Sequence, residues 1–285
     1  MNETDQDFRY FVVAQKRTLL VYSATNSLLN RSIKLALPDG SASDARIVAL
    51  SLSTTDAHLV WIAYSTGLIY CVDWTNSTGS QDFWTLPSQA ITDLATVSLE
   101  YAKTSHNIIY TTDKREDGDW RIQAHELLAD GVSIARTIYT SSEEIQSVNV
   151  SEDGAVILAT SGSRLLLGYL KTKDFVTLEK VKYLFRIFES SDHISSVDLR
   201  VSQREVTKGT KQSPAVIPVV DVVVGDVRGS IFVHNDLLGN LILAETQKAD
   251  GQKSISLMPR KLHWHQKCVD SVKWSRDGKI TLCSV

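Results

Sequence analysis

Ile145-Gln146-Ser147-Val148-Asn149-Val150-Ser151-Glu152-Asp153-Gly154 and Val269-Asp270-Ser271-Val272-Lys273-Trp274-Ser275-Arg276-Asp277-Gly278 are two copies of one pattern. An apolar residue, two variable ones and a second apolar residue open an alternating stretch, as a strand with one buried face requires. Ser-x-Asp-Gly follows, and those residue types supply the side-chain acceptor and the backbone freedom of a tight turn. The anchor pair recurs as Ile47/Leu50, Ile91/Leu94 and Ile194/Val197, so the five copies begin 44, 54, 49 and 75 residues apart. The chain reads as one small β-unit repeated.

A repeat of about 40 to 45 residues carrying four strands predicts a WD-type β-propeller. The expected fold class is all-β, an incomplete WD40-type β-propeller of about four full and two partial blades, as one unit over residues 1–285. Tyr10 to Gln15, Thr18 to Ala24 and Leu28 to Leu35 give a first blade that lacks its innermost strand. Residues 45–74 make a fuller unit, and others run roughly over 83–128, 134–185 and 193–264. The last copy starts at Val269 and stops within its second strand, so a fragment or an unusual gene product is expected. Asp117-Gly118, Asp153-Gly154 and Arg228-Gly229 mark hairpin turns. The 75-residue interval exceeds one blade. Its polar, basic stretch from Arg200 to Pro218 predicts a loop insertion at 200–218, and Glu245 to Pro259 a second excursion.

With 43% hydrophobic and 22% charged residues the chain can bury a core and is not disordered as a whole. No apolar run approaches the roughly 20 residues of a membrane helix, and the acidic start from Met1 to Asp7 is unlike a secretory signal. Cys71, Cys268 and Cys283 are too few and scattered for a disulfide framework. An intracellular protein with no membrane contact is expected, its sequons at Asn30, Asn76 and Asn149 unmodified. Residues 1–170 carry 12 basic and 20 acidic side chains (−8), and residues 171–285 carry 18 and 13 (+5). That asymmetry lets one face meet nucleic acid or an acidic protein, but falls short of a dedicated nucleic-acid binder.

No Walker-type phosphate loop, nucleophile elbow, His-Glu-x-x-His pair or paired-cysteine knuckle occurs. No enzyme, cofactor, bound metal or small-molecule substrate is expected. His263, His265 and Cys268 offer imidazole and thiolate, yet a fourth ligand at suitable spacing is missing, which favours a structural role. Trp61, Trp74, Trp84, Trp120, Trp264 and Trp274 lie mostly in strand patterns and read as packing groups before base-stacking ones. The acidic pairs Glu116-Asp117 and Glu143-Glu144 read as solvated surface. Arg200, Arg204, Lys208 and Lys211 are the candidate contact with RNA or another partner, because a cationic loop can track phosphates. The rival reading is a merely solvated loop.

Leu262-His263-Trp264-His265, then Val269, Val272, Trp274-Ser275 and Asp277-Gly278, resemble the nucleolar WD-repeat family of the small-subunit processome. Tyr10-Phe11-Val12-Val13 through Leu20-Val21-Tyr22-Ser23 looks like that family's first blade. Between these ends the landmarks are replaced: Val72 precedes Asp73, Arg228 stands at the turn aspartate, and His234 at the tryptophan. The resemblance implies a non-catalytic scaffold in the nucleus and nucleolus. Its partners would be other processome proteins, pre-rRNA and U3 snoRNA, in support of small-subunit rRNA maturation and RNA polymerase I transcription. Family members also carry a second propeller and a C-terminal tail, which these 285 residues do not contain. The alternative is a generic WD40 adaptor in another intracellular complex, such as a ubiquitin ligase or a trafficking assembly. A propeller enzyme has the least support, since the carboxylate or metal set of such a site is missing.

Overall fold

Runs of β-branched and aromatic residues, interrupted by Gly, Asp and polar pairs, fold into antiparallel meanders throughout the chain. The structure is a computed structural model. It describes residues 10–35, 45–53, 56, 58–75, 81–87, 90–101, 104–128, 130–131, 133–170, 177–206, 215–249, 259–263, 266–275 and 281–284. Strands β1 (Tyr10–Gln15), β2 (Thr18–Ser23) and β3 (Leu29–Lys34) form a three-stranded sheet. Four four-stranded sheets follow. The first is β4 (Ile47–Leu52), β5 (Leu59–Tyr64), β6 (Leu68–Asp73) and β7 (Gln81–Thr85). The second is β8 (Ile91–Tyr101), β9 (Thr104–Lys114), β10 (Trp120–Leu127) and β11 (Ser133–Ser141). The third is β12 (Ser147–Val150), β13 (Val156–Ser161), β14 (Arg164–Leu170) and β15 (Tyr183–Glu189). The fourth is β16 (Ile194–Val206), β17 (Ala215–Asp226), β18 (Ser230–His234) and β19 (Arg260–His263), with helix α1 (Leu237–Ala249) inserted before β19. Strands β20 (Ser271–Trp274) and β21 (Thr281–Ser284) pair as a two-stranded sheet. The expected four full and two partial repeats are thus present among the described residues.

The chain divides into two compact units, Met1–Ala159 with Gly168–Leu184, and Thr160–Leu167 with Phe185–Val285. In the first, the two-residue period of β5 sends Val60, Ile62 and Tyr64 into a cluster with Leu19, Ile33 and Leu35, while Trp61 and Ala63 join Ile91, Leu94 and Ile109 on the opposite side. The sheet β4–β7 is therefore apolar on both faces, as a sheet stacked between two others must be. In the second unit Val223 and Ile231 pack on the last anchor pair, Val269 and Val272.

The repeated Ser-x-Asp-Gly motif has a direct physical cause. Ser151 Oγ donates to Asp153 Oδ1 at 2.5 Å and accepts the Val156 amide at 2.9 Å. Asp153 Oδ1 also accepts the Ala155 amide at 3.0 Å, and Gly154 takes φ 66°, a left-handed conformation open to glycine. The other expected turns hold Gly118 at φ 96° and Gly229 at φ 87°.

Two expectations fail in the second unit. Residues 200–206 and 215–218 are not a loop insertion but the outer part of hairpin β16–β17, in continuous register from Val197↔Val224 to Val206↔Ala215. A polar strand is stable there because backbone pairing does not need apolar side chains on an exposed face. Pro218 is tolerated opposite Gln203, beyond the last residue that β17 pairs with β18, Val222. The excursion expected from residue 245 is likewise helical as far as Ala249, because Leu237, Leu238 and Leu241 bury one face of α1, which packs on β17.

Candidate functional site

The four basic residues of the candidate contact begin on β16. Arg200 and Arg204 lie four residues apart and so project from the same face of that strand. Lys208 and Lys211 lie outside the described residues. Arg200 stands opposite Asp221 in the ladder, its guanidinium 3.8 Å from that carboxylate. Arg204 reaches Asp236 at 3.4 Å. The two acids are themselves joined, since the Asp236 amide donates to Asp221 Oδ1 at 2.9 Å.

Asp236 has φ 48° and caps α1, accepting the Gly239 amide on Oδ1 at 3.2 Å and the Asn240 amide on its carbonyl at 2.9 Å. Gly239 leaves room for that carboxylate: a Cβ there would fall 2.6 Å from Asp236 Oδ1, and the Asp236 side chain would have to shift. The arginines thus belong to a junction that ties a long hairpin to a helix start. Arg204 remains 57% exposed, so the site is a solvated surface of paired charges.

Neighbouring first strands are stitched together by side chains. Asp93 Oδ2 accepts the Val148 amide at 2.9 Å, and Asp198 Oδ2 accepts the Trp274 amide at 2.8 Å while Oδ1 takes Lys273 Nζ at 3.1 Å. Hydroxyls following the first anchor reach the next anchor's carbonyl: Thr92 to Ile145 at 3.4 Å and Ser195 to Val269 at 2.7 Å.

No family model matches this sequence, and no curated protein matches it either. Among solved structures the chain is similar to the β-propeller domain of Myceliophteria thermophila Cps50 (Swd1), with a TM-score of 0.50 and 13% sequence identity. The match covers 93% of this chain and 73% of that one. The chain is a WD40-type β-propeller.

The landmarks of its blades are rebuilt from unusual residues. In the blade β8–β11, Asp113 is fully buried at the end of the second strand and held by Arg121 through Nε at 2.6 Å and Nη2 at 3.1 Å. Thr111 bonds His125 Nε2 at 3.1 Å on the third strand, and burial holds that imidazole down at about 4. Tyr183 donates to the Gly154 carbonyl at 2.5 Å and accepts from Tyr110 at 3.0 Å, with burial raising both phenols. In the blade β16–β19 the turn acid is Asp226, not position 228. Its Oδ1 accepts the Arg228 and Ser230 amides at 2.9 and 2.7 Å, while Arg228 turns outward to Asp192 at 2.7 Å. These groups spend their hydrogen bonds on one another and on the backbone of their blades.

His263 pairs with Ser230 in the β18–β19 ladder, and His265 lies outside the described residues. Among the described residues no cluster of three or more His, Cys, Asp or Glu side chains could hold a metal. Trp61 is buried and stacks obliquely on Trp84 at 5.6 Å, and Trp84 Nε1 donates to the Leu128 carbonyl at 2.9 Å, so both pack the blade β4–β7 against its neighbour. The bridging roles of Asp93 and Asp198 are not evident in the sequence pattern. The signal that marks them is an acid directly beside the second anchor, Asp93 before Leu94 and Asp198 after Val197.

Proposed function

We propose that this propeller is a non-catalytic scaffold subunit of the small-subunit processome, working in the nucleolus on pre-rRNA processing and RNA polymerase I transcription. The observation that carries the reading is hairpin β16–β17, the longest among the described residues, with Arg200 and Arg204 on one face and α1 packed beside it. Exposed ion pairs contribute only about 0–1 kcal/mol, so an RNA phosphate or a partner's carboxylate can take over these guanidiniums at little cost. The end motifs at Tyr10–Ser23 and Leu262–Gly278 support the choice of complex. Partners on this reading are other processome proteins, pre-rRNA and U3 snoRNA.

A second reading, a generic WD40 adaptor for proteins alone, draws on the same hairpin. Asp221 and Asp236 offset both arginines, so the described surface has no net positive charge to attract RNA. Purification of the tagged chain, with mass spectrometry and RNA sequencing of what co-elutes, separates the two. Processome proteins together with U3 snoRNA and pre-rRNA are the expected yield. Recovery of a ubiquitin ligase or trafficking complex without these RNAs would contradict it.

A further inference from the structure

Residues 1–170 are net −8, yet the sequence holds no acid between Asp7 and Asp39, none between Asp44 and Asp56 and none between Asp56 and Asp73. The three-stranded sheet β1–β3 therefore carries Lys16, Arg17, Arg31 and Lys34 and no carboxylate from Tyr10 to Leu35.

The fold gathers cations at one end of the first two sheets. Lys16 and Arg17 make the turn between β1 and β2. Lys34 stands opposite Thr18 in the ladder, and the Leu35 amide donates to the Arg17 carbonyl at 2.9 Å. In the next sheet the Ser65 amide donates to the Arg46 carbonyl at 2.9 Å, one step beyond the pair Ile47↔Tyr64. Leu19, Leu35, Ala45 and Tyr64 share one buried cluster, so Arg17, Lys34 and Arg46, each within two residues of a member, border the same core. Lys16, Lys34 and Arg46 are exposed, and Arg17 is half-buried. Asp73 on β6 and Asp82 on β7 stand toward the other end of their sheet, opposite Leu59 and Cys71.

Two further observations concern this end. Lys16 holds φ 54°, a left-handed conformation that Gly or Asn adopts more readily, so the turn keeps a lysine against backbone preference. Tyr64 is fully buried, and its hydroxyl has no hydrogen-bond partner among the described residues. Burial, and then Tyr70, push that phenol up to about 12, while the Arg17 guanidinium pulls it down, which puts Arg17 within electrostatic reach of an unsatisfied donor. An anionic oxygen completes such an arrangement.

We propose that Lys16, Arg17, Lys34 and Arg46 form a second surface for the phosphate backbone of single-stranded RNA, additional to the arginines of β16–β17. The inference rests on the RNA-bound scaffold reading above. A strand with a charge on every residue engages several of these cations together, and the counterions released at once make its binding steep in salt. Contacts to phosphate carry no base information, so the surface is indifferent to sequence.

Fluorescence anisotropy of a labelled oligouridine with the 285-residue chain, repeated over a range of salt, tests this. The triple variant Lys16→Gln, Lys34→Gln, Arg46→Gln leaves the half-buried Arg17 in place and should keep the parent's melting midpoint. It should bind more weakly and lose about 0.7 from the salt slope for each phosphate no longer neutralised, about 2 in all. Lys16→Arg with Lys34→Arg, which keeps the charge, should keep the parent's slope, and oligoadenosine should behave as oligouridine does. A triple variant with the parent's affinity and slope, beside a loss of both on Arg200→Gln with Arg204→Gln, Lys208→Gln and Lys211→Gln, overturns the second surface and leaves RNA binding at the hairpin. A parent chain that binds no oligouridine overturns both readings. A polyglutamate peptide of equal charge that displaces the RNA at equal concentration makes the partner an acidic protein and overturns the proposal.

Discussion

Hairpins β8–β9 and β16–β17 occupy the same place in their blades, and they dispose of charge in opposite ways. The first puts it inside: Asp113 has no exposed side-chain surface and is gripped by Arg121 beside the neutral His125. The second keeps it outside, with Arg200 and Arg204 standing 3.8 and 3.4 Å from carboxylates at the surface. A buried charge is tolerable only while its partner is present, so the first pair is committed to the fold. An exposed pair contributes only about 0–1 kcal/mol, so the second can be given up to another partner at little cost to the fold.

Arg121→Ala should give the largest effect, since it leaves the Asp113 carboxylate buried and unpaired. A loss of about 3–5 kcal/mol in urea unfolding is expected. A loss below about 1 kcal/mol would put this pair in the same class as the surface ones.

A smaller effect follows from His125, held at about 4 by burial against an ordinary value of 6.5. Above about pH 6.5 the imidazole is neutral in both states and its contribution is complete. As pH falls from 6.5 towards 4, the unfolded chain binds a proton that the folded chain refuses, so stability declines by at most about 3 kcal/mol. His125→Gln should flatten that part of the profile. A profile that keeps its slope in the variant would place the titration on another group.

Much of the fold is legible because stacked sheets impose a two-residue period and a fixed anchor spacing. The pairs Ile91/Leu94, Ile145/Val148, Ile194/Val197 and Val269/Val272 are all buried where the pattern puts them. Turns are legible for a related reason, since few residues meet the geometry that Ser151, Asp153 and Gly154 satisfy. The outer half of β16–β17 is not, because an exposed strand on a hairpin is held by backbone bonds, which leave no mark in side-chain polarity. Helix α1 is obscured in the same way: Leu237, Leu238 and Leu241 are buried on a helix that packs on β17, and local sequence does not announce that packing. The candidate site is legible in its residue types only. Asp221 and Asp236 become partners of the arginines through the ladder and the helix cap, far from them in sequence.

The smallest effect on stability and the most direct test of a partner-facing β16–β17 come from one variant, Arg200→Gln with Arg204→Gln, Lys208→Gln and Lys211→Gln. Its unfolding free energy should stay within about 1 kcal/mol of the parent. Crosslinking to RNA in cells should fall, and the slope of log affinity against log salt should shrink by about 0.7 for each single-strand phosphate that the variant no longer neutralises. A variant that crosslinks to RNA as well as the parent, at unchanged salt dependence, would contradict the account.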